Sequence, residues 1–202
     1  MKKIGILGSG TWGAALANLL TGIGHDVVLW SKFPHEKEAL ENSLTHPNLP
    51  GVDLNKKIHF SADIVESVTE RDIIVFATPS VFVRQTALLA RPFLSNKQII
   101  VTVAKGIEEG SLLTTSEIIH DVLKDKDLPV VALSGPTHAE EVAIEMPTCI
   151  VATCENIKYA EIIQDVFYSS KCLRVYTNQD ILGVEICGAL KNIIALAAGM
   201  SD

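Results

Sequence analysis

Near the end of this chain one lysine stands almost alone in an apolar stretch. From Ile181 to Met200 the only acid or base side chains are Glu185 and Lys191, apart from the weak acid Cys187. Taking an ammonium out of water is costly or lowers its pKa, so Lys191 needs a partner, a route to solvent or a task. At helical spacing Ile186, Leu190, Ile193, Ala197 and Met200 share one apolar stripe, which is expected to face a core. Lys191 lies off that stripe, on an edge with Gly188 and Ala195, and Ala198 and Gly199 follow a turn later. Asn192 shares the edge, so an ammonium and an amide flank one shallow groove. A lysine at a rim can simply snorkel to water. The alternative is a catalytic or substrate-binding lysine.

A second constellation sits at the other end. Gly8-Ser9-Gly10-Thr11-Trp12-Gly13 follows the β-type run Lys3–Leu7 and opens the helical run Thr11–Gly22. In that setting Gly8 permits a tight turn, Gly10 lets backbone approach a pyrophosphate, and Gly13 lets helix and strand pack closely. The helix N-terminus offers free N–H groups and a positive dipole end to phosphates. The next strand, Val27–Trp30, runs into Ser31-Lys32 and has no Asp or Glu at its end, where an NAD-selective site carries one. Asp26 stands at the wrong end. A hydroxyl and an ammonium suit a 2′-phosphate, so the expected cofactor is NADP or NAD, with NADPH favoured; the bland reading of Lys32 is a solvated surface charge.

Two further segments leave buried strands at the end where such sheets bind ligands. Lys105-Gly106-Ile107 follows Val101-Thr-Val-Ala, and Gly135-Pro136-Thr137-His138-Ala139-Glu140-Glu141 follows Leu133-Ser134. Thr137 is expected as a helix N-cap with Glu140 in the capping-box place. His138 reads as a surface or packing residue rather than a base. Thr78-Pro79 occupies the same position after another strand.

These residues need elements to position them. Strands are expected at 3–7, 27–30, 58–60, 73–77, 99–103, 130–133, 149–152 and 173–176. Helices are expected at 11–22, 35–43, 62–67, 80–89, 112–123, 137–144 and 157–168, with the last from about Gln179. Unalternating strands such as Ile-Ile-Val-Phe are buried on both faces, which with intervening helices means a mostly parallel sheet. The expected architecture is α/β, a doubly wound Rossmann-type domain over residues 1–178, then a long helix over 179–202 that begins a helical domain.

Composition narrows the partners. Of 202 residues 48% are hydrophobic and 20% charged, the balance of a folded chain. Seventeen Lys and Arg against 24 Asp and Glu give a net charge of −7 with no basic run, which argues against nucleic acid. Cys149, Cys154, Cys172 and Cys187 form no CxxC pair and keep no histidine spacing, so no metal or redox motif is expected; they suit a reducing cytosol. The opening Met1-Lys2-Lys3-Ile4 breaks at once on glycines and is no export signal. No uninterrupted apolar span of about 20 residues appears, so a soluble, cytoplasmic protein without membrane insertion is expected.

Taken together, Gly8–Gly13, Leu49-Pro50-Gly51, Lys105–Ile107, Gly135–Ala139 with Glu141-Val142, and Gly188-Ala-Leu-Lys191-Asn192-Ile-Ile-Ala195 through Gly199 carry a resemblance. The chain resembles the bacterial-type NAD(P)-dependent glycerol-3-phosphate dehydrogenases along its whole length. The resemblance implies hydride transfer between NAD(P)H and the small phosphate substrate dihydroxyacetone phosphate, giving sn-glycerol 3-phosphate for phospholipid synthesis. It implies that Gly8, Ser9, Gly10, Thr11, Trp12, Gly13, Lys32, Lys105 and Ala139 meet the dinucleotide. Lys105, Gly135, Thr137, Lys191 and Asn192 would meet the substrate, with Lys191 as proton donor and acceptor and Lys105 beside it. Thr137 stands where a serine is common.

The family continues into a second helical domain that supplies an aspartate and an Arg-Asn pair for the substrate phosphate, whereas the sequence stops at Ser201-Asp202. A cofactor-binding unit with little or no turnover is therefore expected. Other β-hydroxyacid or sugar-acid dehydrogenases are the runner-up. They set their lysine and asparagine a turn apart, whereas Lys191 and Asn192 are adjacent. From a different class, the chain could be a dinucleotide-binding module that catalyses nothing. A bare apolar helix also favours a homodimer through α-helical contact.

Overall fold

The strand sequences decide the layering. In β1 (Lys3–Leu7), Ile4 and Ile6 point to one face of the sheet and Leu7 to the other. In β4 (Ile73–Phe76), Ile73 and Val75 oppose Ile74 and Phe76 in the same way. Strands buried on both sides need helices on both sides. In a computed structural model describing residues 1–169 and 171–201 they have them. One apolar cluster lies under α1 (Thr11–Gly22), α6 (Ala139–Ala143) and α7 (Ile157–Phe167). The other lies under α3 (Ile64–Val68), α4 (Val83–Ala90) and α5 (Thr115–Leu123).

With β2 (Asp26–Trp30), β3 (His59–Ser61), β5 (Ile99–Thr102), β6 (Val130–Ser134), β7 (Thr148–Thr153) and β8 (Leu173–Asn178), the sheet order is β3-β2-β1-β4-β5-β6-β7-β8. All neighbours are parallel except β6 and β7. The chain winds outward from β1 to β3, returns to β4 beside β1, and winds the other way. That reversal opens a crevice between the carboxyl ends of β1 and β4, where doubly wound folds bind ligands. The Rossmann-type fold expected from the sequence is what forms, with strand ends moved by a residue or two.

Some expected elements differ. The helix expected from Leu112 starts at Thr115, because Leu112 takes a left-handed φ of 59° and Thr114 and Glu117 form a capping box. The helix expected at 80–89 is a 3₁₀ turn, Ser80–Phe82, followed by α4. Thr137 is not an N-cap. His138 holds that position without a side-chain cap, while Thr137 is buried and its N–H donates to the Gly135 carbonyl at 2.9 Å. The rigid Gly-Pro turn consumes the residue that would have capped the helix.

The largest difference lies in α8 (Ile181–Ser201). Its apolar stripe does not face a core: Ile193 is 64% exposed and Met200 80%. The helix touches the sheet at β6 and β7. Among the described residues its one buried side chain is Glu185. By length and composition alone α8 could cross a membrane. Its early half is instead tied to the start of α5 by that carboxylate.

Candidate active site

The glycine turn is built by close approach. Gly8 has φ 125°, and a Cβ there would stand 2.8 Å from backbone atoms of Ala77 and Thr78 at the end of β4. A Cβ on Gly13 would stand 1.9 Å from the Gly8 carbonyl oxygen. Gly10 is different: a Cβ there meets nothing within 4 Å. It is the N-cap of α1, with no side-chain cap and no acid in the first turn. The free N–H groups of α1 therefore face open space over the crevice, an arrangement that fits a diphosphate. The breaker-rich loop after α2 (Pro34–Ser43) is seated on this turn. Leu49 is buried, Asn48 Nδ2 donates to Thr11 Oγ1 at 3.1 Å, and the His46 Nδ1 accepts from the Asn48 N–H at 3.1 Å. Burial holds the His46 imidazole below its ordinary pKa, against the opposing pull of the nearby Ser9 backbone and of the Glu36 charge.

At the end of β2 the structure adds a residue that spacing did not suggest. Ser31 is buried, and its hydroxyl donates to Glu36 Oε2 at 3.0 Å. Lys32 is exposed, and its Nζ donates to Gln85 Oε1 of α4 at 3.3 Å. Between them opens a cavity of about 660 Å³, lined by Gly10, Ser31, Glu36, Phe33, Phe82 and Leu89 among others. Phe33 and Phe82 are each about half exposed, at 48% and 50%, which gives the cavity an apolar wall suited to a flat ring.

At the ends of β5 and β6 the two lysines come together. Lys105 is half-buried, and its Nζ donates to the Gly135 carbonyl at 3.0 Å. Burial first, and the Lys191 charge second, lower its pKa. The Lys105 loop is held from behind: Arg84 donates to Glu108 at 2.8 and 2.9 Å and also pairs with Asp121. Those bonds from Arg84, with help from Ser111, hold the Glu108 carboxyl down at about 2.

Lys191 reaches the same place from α8, with Nζ 3.5 Å from His138 Nε2. Gly188, one turn earlier, is pressed onto β6. A Cβ there would stand 2.7 Å from Ser134 Oγ and 3.8 Å from Lys105 Cγ. The room expected beside Gly188 is thus filled by the protein itself, whereas Asn192 and Ala195 are exposed. Glu185 sets this docking. Its carboxylate accepts from Thr114 Oγ1 and Thr115 Oγ1 at 2.8 Å each, from the Ser116 N–H at 2.9 Å, and from Ser116 Oγ. A charged acceptor at the start of α5 also meets the positive end of that helix.

The fold therefore brings Lys105, Gly135, Thr137, His138 and Lys191 to one side, with Gly8 to Gly13 and Ala77 to Pro79 at the central crevice. Lys32 stands apart, at the far end of the cavity beside β2. Ala139 packs on the core next to α1. Sequence reasoning missed Glu36, Gln85, His46, Asn48, the Arg84–Glu108 pair and the task of Glu185. For Glu185 there was a signal: it is the only acid in a long apolar helix.

Residues 3–160 match the family model described as NAD-dependent glycerol-3-phosphate dehydrogenase N-terminus, and residues 180–202 match the corresponding C-terminus model. An NAD(P)+ glycerol-3-phosphate dehydrogenase of Lactobacillus delbrueckii subsp. bulgaricus is 52% identical, across 99% of this chain and 60% of that protein. The glycerol-3-phosphate dehydrogenase structure from Coxiella burnetii superposes with a TM-score of 0.90 at 31% identity, over 100% of this chain and 61% of that one. The Saccharomyces cerevisiae enzyme gives a TM-score of 0.80 at 26% identity, covering 98% and 62%. The chain spans about 60% of the length of the curated relatives it matches. By motif, by model and by fold, it belongs to the NAD-dependent glycerol-3-phosphate dehydrogenase family.

Proposed function

We propose that this chain carries the cofactor site and the proton-transferring lysine of an oxidoreductase that reduces dihydroxyacetone phosphate to sn-glycerol 3-phosphate, for phospholipid synthesis. The observation that carries the reading is the meeting of Lys105, the Gly135 carbonyl and Lys191 beside the crevice of the glycine turn. Residues 1–178 form the dinucleotide domain in this reading, and 179–202 the first helix of a helical substrate domain.

Gly8 to Gly13 hold the diphosphate, and the N–H groups of α1 balance its charge. When bound, NAD or NADP supplies or takes up the hydride. Lys191 holds the proton that reaches the C2 oxygen as alkoxide character develops there. Lys105, fixed by the Gly135 carbonyl, places positive charge where that negative charge grows. Thr137 and Gly135 shape the substrate side, and Asn192 orients the substrate. Ala139 closes the cofactor side.

The family membership supports this reading, since relatives are named for that activity. A second reading, a dinucleotide-binding module without turnover, is favoured by the later half of α8, which stays exposed. Its apolar surface supports a homodimer through that helix, which sedimentation at graded concentration would read. The four cysteines are free thiols, in keeping with a cytoplasmic setting.

The test is a fluorescence titration with NADH and NADPH, followed by dihydroxyacetone phosphate while reduced nicotinamide is monitored. Binding with turnover that Lys191→Ala abolishes supports the first reading. Binding without turnover supports the second. Turnover retained in Lys191→Ala sinks the assigned role, and no binding sinks both readings.

A further inference from the structure

The cavity beside β2 holds two side chains of opposite charge, and a dinucleotide with a 2′-phosphate would have to satisfy both. Lys32 is exposed at the cavity edge, with its Nζ drawn 3.3 Å from Gln85 on the α4 side. Glu36 is held on the β2 side by the Ser31 hydroxyl, at 3.0 Å. Ser31 is 2% exposed and directly follows the last residue of β2, so it fixes the carboxylate at the carboxyl end of that strand. Glu36 also lines a neighbouring cavity of about 450 Å³ that shares Ser9 and Gly10 with the first. It therefore stands in the wall between two spaces that both open on the glycine turn.

A dinucleotide whose diphosphate lies on α1 extends its adenosine ribose toward the end of β2. A carboxylate there accepts from a ribose 2′-hydroxyl and repels a 2′-phosphate. Strand β2 itself ends in no acid, and the hydroxyl that Ser31 would offer a phosphate is already donated to Glu36. The fold has supplied the missing acid from the first turn of α2, whose start at Pro34 brings Glu36 back over Ser31.

We propose that Glu36 is the specificity-determining residue of the cofactor site, a ribose 2′-hydroxyl acceptor that makes this chain favour NADH over NADPH. Ser31 is its positioning residue. The assignment rests on the reading of this cavity as the adenosine end of a dinucleotide site.

The experiment measures dissociation constants for NADH, NADPH, ADP and adenosine 2′,5′-bisphosphate by quenching of tryptophan fluorescence, without turnover. Trp30 lines this cavity, and Trp12 stands in the first turn of α1 after the glycine turn. The wild-type chain is expected to bind NADH about tenfold more tightly than NADPH. Glu36→Gln should bring that ratio to about one, chiefly by tightening NADPH, because an unpaired charge opposite a phosphate is worth about that factor. The two nucleotide fragments should repeat the pattern, which locates it at the 2′ position. Ser31→Ala should relax the ratio part of the way. A ratio unchanged by Glu36→Gln overturns the assignment. So does a wild-type preference for NADPH that collapses in Lys32→Met. If no dinucleotide or fragment binds at all, the cavity reading fails and the assignment with it.

Discussion

At the glycine turn the site is made of backbone. A Cβ on Gly13 would stand 1.9 Å from the Gly8 carbonyl, and the groups that face a ligand are the N–H groups of α1. At α8 the site is made of a side chain, Lys191, whose place depends on another side chain, the buried Glu185. The turn holds its geometry because atoms are missing there. The helix holds its geometry because one carboxylate finds its donors in Thr114, Thr115 and Ser116. The first kind of site tolerates no added atom. The second tolerates no lost one.

The sharpest way to break this comparison is to add a methyl group at the turn. Gly13→Ala is expected to cost about 3 kcal/mol of stability in urea denaturation, because the contact is with backbone that cannot step aside. Stability equal to the parent would show that the turn yields. At the helix, Glu185→Ala should cost about 2 kcal/mol by leaving buried hydroxyls without their acceptor. Hydrogen exchange should then find α8 unprotected while the dissociation constant for dinucleotide stays within about twofold. Loss of dinucleotide binding in this variant would mean the two regions are not independent.

Gly10→Ala separates packing from ligand contact. A Cβ there meets no protein atom within 4 Å, so the melting temperature should hold. Dinucleotide affinity should still fall about tenfold if backbone must approach the diphosphate.

A smaller effect distinguishes Lys105 by pH. Burial sets its folded pKa below the ordinary value of 10.5, so its charge costs stability below the folded pKa, and that cost is relieved as pH rises through it. Lys105→Met should therefore gain on the parent near neutrality, and the gain should shrink as pH climbs toward 10.5. A stability difference that does not change with pH would contradict this. The smallest effect belongs to Glu108→Gln. The parent carboxyl sits at about 2 against 4.5 unfolded, so its contribution is present above 4.5 and is lost as pH falls toward 2. The variant and parent should converge over that interval in an acid titration of stability.

What the sequence disclosed follows the same division. The inner strands were legible because Ile-Ile-Val-Phe and its counterparts are buried on two faces, whereas β8 at the edge alternates, with Arg174 and Tyr176 exposed. The phosphate turn was legible because glycine spacing encodes backbone geometry directly. Lys191 stood out because charge is rare in its surroundings. Glu36 was not legible, since its role depends on where Pro34 starts α2 and how that helix folds back over Ser31. The exposure of Ile193 and Met200 was not legible either. Periodicity marks an apolar stripe without saying what covers it. Thr137 misled because Thr-x-x-Glu has the spacing of a capping box, while the Gly135-Pro136 turn commits that residue elsewhere.

The grip of Glu185 also has a consequence in time. Its partners lie 69 to 71 residues earlier in the chain, and they become an aligned set of donors when the first turn of α5 has formed and been capped. Closing so long a loop is entropically costly, and its return arrives all at once. Docking of the last helix is thus a late event in refolding. Pulse-labelled amides in α8 should gain protection after those of β4 and β5, and Lys191 takes its place when the rest of the sheet is complete.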